Sequence, residues 1–257
     1  MPPLVDVIIP VYNEEKDLPK CVVSLSQFLE ANLFYPWRIV IADNGSTDST
    51  PAVADMLSHE YPNVKCIHLE MKGRGRALRK AWLESEADIL TYMDVDLSTD
   101  LKAFPKLVKA IGEEGYDLGI GSRLMKGAKV TRSLKREVIS RLYNLIIRAM
   151  FFTRFKDAQC GFKGMSRRAV RALVPRVEDQ AWFFDSELLI LAEKSGLRIK
   201  EIPVTWIDDP DSRVNVTRTA TEDLKGLLRL RLGGLARALK ELPSIEEAGE
   251  ERPGQGG

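Results

Sequence analysis

Ile89-Leu90-Thr91-Tyr92-Met93-Asp94-Val95-Asp96 is an uncharged, largely apolar run that stops at two carboxylates. Its first five residues predict a short strand buried on both faces. In an extended chain alternate side chains share a face, so Asp94 and Asp96 are placed to meet one hard divalent cation. Such a cation keeps coordination sites open for the oxygens of a diphosphate. Asp96, Ser98 or Asp100 reads equally as the cap of a helix that starts near Leu101.

Working outward, apolar runs at 6–11, 37–42, 64–69 and 117–121 read as further strands. They alternate with helical patterns at 15–30, 50–59, 75–85 and 101–113. This alternation predicts an α/β fold, a mostly parallel sheet with helices on both faces. Ligands in such sheets sit beyond the strands' carboxyl ends. Tyr12-Asn13-Glu14, Asp43-Asn44-Gly45 and Asp94-Val95-Asp96 each follow a strand, so all three are expected at one crevice.

Beyond Arg123 the pattern changes. Residues 133–155 read as a helix that is apolar over most of its circumference and interrupted by Lys135, Arg136, Arg141 and Arg148. That composition suits either core packing or a helix lying in a membrane interface. A helix at 182–194 and a strand at 197–206 follow, then a basic amphipathic helix at 222–240 with Leu224, Leu227, Leu228, Leu235 and Leu239 on one stripe. The expected organisation is a catalytic domain over 1–216, with halves at 1–122 and 123–216. A C-terminal helix over 217–242 and a disordered tail over 243–257 complete it.

A chain of 257 residues buries a sizeable core without staples. Its three cysteines and two histidines show no paired ligand spacing, which argues against zinc and for a reduced, cytoplasmic setting. No cleavable leader and no apolar stretch of membrane-spanning length is read. The net charge of +1 hides an asymmetry: from Arg123 to Arg176, fifteen Lys/Arg stand against two acids. A basic section of this kind suits an anionic partner. Leu, Ile and Phe on a helix do not resemble a nucleic-acid surface, which favours exposed aromatics on a sheet.

Asp43 to Asp48 reads as a turn and helix cap, with Asp43 poised toward a ligand's base or ribose. Lys72-Gly73-Arg74-Gly75-Arg76 is a glycine-spaced basic loop entering a helix, where amides, helix dipole and cations can face an anion. Arg123 closes a strand and can offer a fork to a phosphate. Cys160 reads as a small buried hydrophobe. Asp185 and Glu187, at a helix start, either cap it, orient basic groups or touch a ligand.

Together these residues resemble glycosyltransferase family 2, the inverting, nucleotide-sugar-dependent enzymes of GT-A (Rossmann-like) fold. More narrowly, the chain resembles the dolichyl- and polyprenyl-phosphate glycosyltransferases. The elements are Ile9 to Glu14, Asp43 to Asp48, Gly73-Arg74-Gly75, Asp94-Val95-Asp96 and Gly121-Ser122-Arg123, then Arg136-x-x-x-Ser140-x-x-x-Asn144, Cys160-Gly161-Phe162, Asp185 to Leu188 and Ser212-Arg213. The resemblance implies that Pro10, Tyr12, Glu14 and Asp43 hold the nucleoside, with Gly73, Arg74 and Val95 around the rest of the donor. It places Mg2+ or Mn2+ on Asp94 and Asp96. Arg123 and Arg213 would neutralise phosphates, and Arg136 with Ser140 would receive a lipid phosphate. Ser98 stands where mannose synthases often carry glutamine, and Asp157 to Lys163 resembles the glucosyltransferases. The expected donor is therefore UDP-glucose rather than GDP-mannose, and the expected place is the cytoplasmic face of a membrane, peripherally. A soluble or saccharide hydroxyl acceptor would instead need a carboxylate base, Asp185 or Asp157.

Overall fold

In the computed structural model, which describes residues 2–208 and 216–243, a seven-stranded sheet runs through the molecule. The first half alternates as its hydrophobic pattern dictates: β1 (Val5–Val11), α1 (Leu18–Asn32), β2 (Trp37–Asp43), α2 (Thr50–Glu60), β3 (Val64–His68), α3 (Arg74–Glu84) and β4 (Ile89–Met93). α4 (Phe104–Gly112), β5 (Leu118–Ser122), β6 (Lys129–Thr131) and α5 (Leu134–Phe151) follow. The chain continues as β7 (Phe162–Ser166), α6 (Arg167–Leu173), α7 (Phe184–Lys194), β8 (Ile199–Pro203), β9 (Thr205–Ile207), α8 (Val216–Arg229) and α9 (Leu235–Lys240).

The sheet order is β3-β2-β1-β4-β7-β5-β8, and β6 pairs with β9 in a small second sheet. β7 is antiparallel to β4 and β5, whereas the other pairings are parallel. Alternation along β1 divides the core. Val5, Val7, Ile9 and Val11 face α1, α2 and α4, while Ile8 faces the layer built from α3, α5, α6 and α7. Both faces of the sheet are thereby covered, as continuous apolar strands require.

Several boundaries differ from the sequence reading. The helix expected over 133–155 ends at Phe151, because Phe152 adopts a left-handed conformation with φ 52°. The strand expected over 197–206 is two strands in two sheets, separated at Val204. The helix expected over 222–240 starts earlier, at Val216, and kinks where Gly233 takes φ 128°. β7 overlaps the Asp157–Lys163 motif only at Phe162 and Lys163, and neither it nor α6, which follows, is read as an element in the sequence. Positions 244–257 of the expected tail lie outside the described residues, as do 209–215. No described helix is long and apolar enough to cross a membrane.

The C-terminal helices contribute to the core rather than hanging from it: Leu227, Leu230 and Ala238 are buried in the same cluster as Ile8 and Tyr92. Gly226 makes this docking possible, since a Cβ there would stand 2.3 Å from the Phe183 ring. Gly226→Ala sets a helix-propensity gain of roughly 1 kcal/mol against an overpacking cost of roughly 1–3 kcal/mol. The expected result is a net loss of stability, read as a lower urea midpoint. A raised midpoint would mean that α8 does not pack on Phe183 in solution.

Candidate active site

β2, β1 and β4 are parallel neighbours, so the loops at their carboxyl ends lie side by side. Hydrogen bonds stitch the first two loops together. The Asn13 amide donates to Ser46 Oγ at 3.0 Å, Asn13 Oδ1 accepts from the Thr47 amide at 2.8 Å, and the Glu14 amide donates to Thr50 Oγ1 at 2.8 Å. Asn13 itself is left-handed, with φ 58°, a conformation that asparagine tolerates. Asp43, buried at the end of β2, accepts from the Ser46 amide through Oδ1 and faces His68 Nδ1 through Oδ2 at 3.1 Å. Pro10 pairs with Ala42 beside these loops, and Lys72 Nζ sits 3.4 Å above the centre of the Tyr12 ring.

The amide cradle expected at Lys72 to Arg76 does not form. The Gly73 amide donates to Asn44 Oδ1 at 2.5 Å, the Gly75 amide to the Ala181 carbonyl at 3.2 Å and the Arg76 amide to the Gln180 carbonyl at 3.1 Å. Those donors are already satisfied within the protein, so an anion here meets side chains rather than a helix N-terminus. Arg74 turns inward instead. Its Nη2 lies 2.5 Å from Asp94 Oδ1 and its Nη1 2.7 Å from Asp185 Oδ2.

Asp94 and Asp96 are not held in an extended chain. β4 ends at Met93, and a turn follows in which the Leu97 amide donates to the Asp94 carbonyl at 3.1 Å, with Leu97 at φ 49°. The Asp96 carboxylate accepts from the Ser98 amide at 2.9 Å. Asp100 caps the next segment by accepting from Lys102, so the capping reading holds for Asp100. Asp94 packs against Gly161 so closely that a Cβ there would lie 1.8 Å from Asp94 Oδ2. The donor set nevertheless fits a hard divalent cation: two carboxylates flank one turn, and Arg74 engages only one oxygen of Asp94.

Behind Asp94 lies a buried charge cluster. Asp185 Oδ1 accepts from Tyr92 OH at 2.5 Å and lies 3.3 Å from Lys163 Nζ, which also donates to Tyr92 OH and the Cys160 carbonyl. Burial alone would raise the Asp185 carboxyl, but Lys163, Arg74 and the Tyr92 hydroxyl outweigh it and hold it below its ordinary range. Asp185 thus orients basic groups. Glu187 acts elsewhere, accepting from the Glu178 and Asp179 amides and pairing with Arg229, which fixes the segment whose carbonyls meet α3. Burial pushes the Cys160 thiol up to about 12, so it is inert, as its sequence context suggested.

In the acceptor half, Arg123 is committed. Its backbone amide and Nε both donate to Asp157 Oδ2, and its Nη2 to Oδ1. Burial would raise Asp157, yet the Arg123 guanidinium holds it at about 2. Any phosphate contact from Arg123 therefore falls to Nη1. Arg136 pairs with Asp208, which borders a cleft of about 700 Å3 together with Val95, Asp96, Ser98, Asp17 and Lys20. Ser140 is buried on α5, and its Oγ has no hydrogen-bond partner among the described residues. Arg213 lies outside the described residues.

The sequence reading missed Asp208 as partner of Arg136, and the buried Asp223 on α8. Asp223 Oδ2 accepts from Gln159 Nε2 at 3.1 Å, its Oδ1 has no partner among the described residues, and burial pushes its carboxyl up to about 7. Its spacing from Leu227 and Leu230, four and seven residues on, already placed it on the buried face.

A family model described as Glycosyl transferase family 2 matches residues 6–174. Glycosyltransferase AglD of Haloferax volcanii is 37% identical over 219 residues, 83% of this chain and 35% of its own. Dolichyl-phosphate beta-glucosyltransferase of Drosophila melanogaster is 32% identical over 222 residues, 81% of this chain and 68% of its own. The chain thus spans about a third of AglD and 66% of another dolichyl-phosphate beta-glucosyltransferase, from Trichomonas vaginalis. Glucosyl-3-phosphoglycerate synthase of Mycobacterium tuberculosis has the same fold, with a TM-score of 0.67 at 19% identity over 90% of this chain and 81% of that one. One structure of that enzyme is a complex with Mn2+ and uridine-diphosphate-glucose, with a TM-score of 0.66 at 17% identity over 90% and 79% of the two chains.

Asp223 makes a signed prediction for stability. Its folded pKa of about 7 lies above the roughly 3.9 of an unfolded aspartate. Between those values the unfolded state ionises while the folded state keeps its proton, so the contribution to stability falls as pH rises and levels off above 7. Asp223→Asn removes that loss. Relative to the parent protein, the variant should gain about 2–3 kcal/mol between pH 5 and pH 8 in urea unfolding. A difference independent of pH would show that Asp223 is ionised throughout.

Proposed function

This chain belongs to glycosyl transferase family 2, and on that premise we propose that it moves a hexose from a nucleotide sugar, UDP-glucose in preference to GDP-mannose, to a polyprenyl or dolichyl phosphate at a membrane surface. The reaction is a single displacement at the anomeric carbon with inversion. The donor assignment draws on relatives named dolichyl-phosphate beta-glucosyltransferase and on a neighbour of the same fold solved with uridine-diphosphate-glucose.

The observation that carries the acceptor class is the state of the carboxylates. A hydroxyl nucleophile needs a base, and the two aspartates named for that role from the sequence are locked: Asp157 by Arg123 at about 2, Asp185 by Arg74 and Lys163. Asp223, near neutrality, is buried and does not line the cleft. A phosphate monoester loses its second proton near pH 6, so at neutral pH it attacks without a base. Arg136, at the cleft through Asp208, is the cation to exchange its carboxylate for that phosphate. When bound at Asp94 and Asp96, Mg2+ or Mn2+ supplies Lewis-acid stabilisation of the departing nucleoside diphosphate. Tyr12, with Lys72 over its ring, and Asp43 border the crevice where the nucleoside half would lie.

A lipid acceptor also gives α5 a purpose. One stripe of the helix, Tyr143, Ile147 and Phe151, is buried, while Leu134, Val138, Leu142 and Leu145 stand exposed on another, with Lys135 and Arg148 nearby. Phe152 and, on α8, Leu224 and Leu228 add exposed apolar area. Leucines beside basic side chains suit an anionic interface at the cytoplasmic face, with the helix lying in its plane. Phe151, in the stretch read from the sequence as either core or interface, is a core residue at 3% exposure.

Two measurements test the reading. Release of nucleoside diphosphate should require a short prenyl phosphate and Mg2+ or Mn2+, with UDP-glucose the better donor. Arg136→Ala should raise the KM for prenyl phosphate about tenfold or more and leave the donor KM unchanged. Turnover with sugar alcohols but not with prenyl phosphate would refute the acceptor class. In flotation with phosphatidylglycerol vesicles, a Leu142→Glu/Leu145→Glu double variant should lose binding. Undiminished recovery would remove α5 from the membrane.

A further inference from the structure

Although the cysteine and histidine spacing argues against zinc in the sequence, the fold gathers a set that the spacing does not show, and we propose that Asp55, Cys66 and His68 form a second cation site, on the edge of the sheet, suited to a borderline divalent ion of the Zn2+ class. β3 is the edge strand, and Cys66 and His68 alternate along it, so both side chains lean the same way, toward α2. Asp55 on α2 meets them. Its Oδ1 is 3.0 Å from His68 Nε2 and 3.1 Å from Cys66 Sγ, and one ligand atom from each residue lies within 4.8 Å of the others. Tetrahedral zinc with nitrogen, sulfur and oxygen ligands needs separations of roughly 3.3–3.6 Å, so the two contacts to Asp55 have only to open by a few tenths of an ångström. The His68 and Asp55 side chains are 39% and 56% exposed, which provides entry and leaves a fourth position for water.

The partner of the other imidazole nitrogen makes this more than a chance meeting of donors. His68 Nδ1 lies 3.1 Å from Asp43 Oδ2, so a proton held on Nδ1 leaves Nε2 with its lone pair toward Asp55 and Cys66. A carboxylate on the far nitrogen is the usual support of a metal-binding histidine, fixing its tautomer and raising its basicity. Asp43 is itself anchored by the Ser46 amide, so the imidazole is held from the loop that follows β2. Without a cation, burial lowers the pKa of His68, but the hydrogen bonds to Asp55 and Asp43 outweigh it and raise the pKa. Cation binding requires a free lone pair on Nε2 and displaces the thiol proton of Cys66. A thiolate–imidazole–carboxylate set selects against Mg2+, whose ligands are oxygens, so this site and the acidic turn discriminate between ions.

The full chain, freed of metal with a chelator, should be titrated with Co2+ at pH 7.5 in excess Mg2+. One equivalent should bring tetrahedral visible bands and a near-ultraviolet thiolate-to-cobalt transition, both abolished by Zn2+. Cys66→Ser should remove the thiolate transition, whereas Cys21→Ser should keep it. His68→Gln and Asp55→Asn should each weaken Co2+ binding about tenfold or more, with circular dichroism confirming that each variant folds. Absence of the thiolate transition in the parent protein would overturn the proposal and leave the trio a hydrogen-bonded cluster. So would a transition that survives Cys66→Ser.

Discussion

Arg74 bridges Asp94 and Asp185, and the arrangement of the crevice follows from that pairing. Arg74 is largely buried, Asp185 and Lys163 almost wholly so. Each of these ions left alone would carry a desolvation penalty of several kcal/mol. Only their mutual contact makes the cluster tolerable, so four elements are bound to meet at one point: α3 supplies Arg74, the end of β4 supplies Asp94, β7 supplies Lys163 and α7 supplies Asp185. Gly161 is the steric counterpart, since any side chain there would occupy the space of the Asp94 carboxylate. The Arg74 guanidinium also lies over the Tyr92 and Trp182 rings, 5.0 and 5.2 Å from their centroids.

The first half of the fold was legible because its physics is local. Apolar runs of strand length alternating with amphipathic helices admit few arrangements, and the strands β1, β2 and β4 place their loops together as expected. β7 was not legible for a reason that concerns function. Phe162-Lys163-Gly164-Met165-Ser166 puts a lysine and a glycine in the middle of a central strand, where local rules disfavour both. Lys163 is accepted there because Asp185, 22 positions on, neutralises it. Local sequence logic fails at the buried charge that the site requires. The same limit applies to α5, since apolarity all round does not say which stripe meets the core.

Charge shows a comparable gap between sequence and space. The section from Arg123 to Arg176 is strongly basic on paper, but the fold brings acids from elsewhere to it: Asp208 to Arg136, Asp88 to Arg167, Asp117 to Arg168 and Asp185 to Lys163. Within the section, Asp157 and Glu137 take up Arg123, Arg132 and Arg141. A net positive count over a segment therefore overstates the field it presents. What remains is concentrated in cations without an ion pair among the described residues, such as Lys135 and Arg148 on α5, next to exposed leucines.

Asp43 links the two ends of this reasoning. At the end of β2 it faces both the Ser46 amide of the crevice loop and the imidazole of His68 at the sheet's edge. Its two oxygens are thus shared between a loop whose shape defines the crevice and the His68 ring. The ring nitrogen nearer Asp43 lies 3.1 Å from Oδ2, and the other meets Asp55 at 3.0 Å, so one imidazole spans two carboxylates. The interaction is short and lies in a partly buried setting, where screening by salt is weak. One carboxylate therefore ties the loop after β2 to the imidazole on β3, and through it to Asp55 on α2.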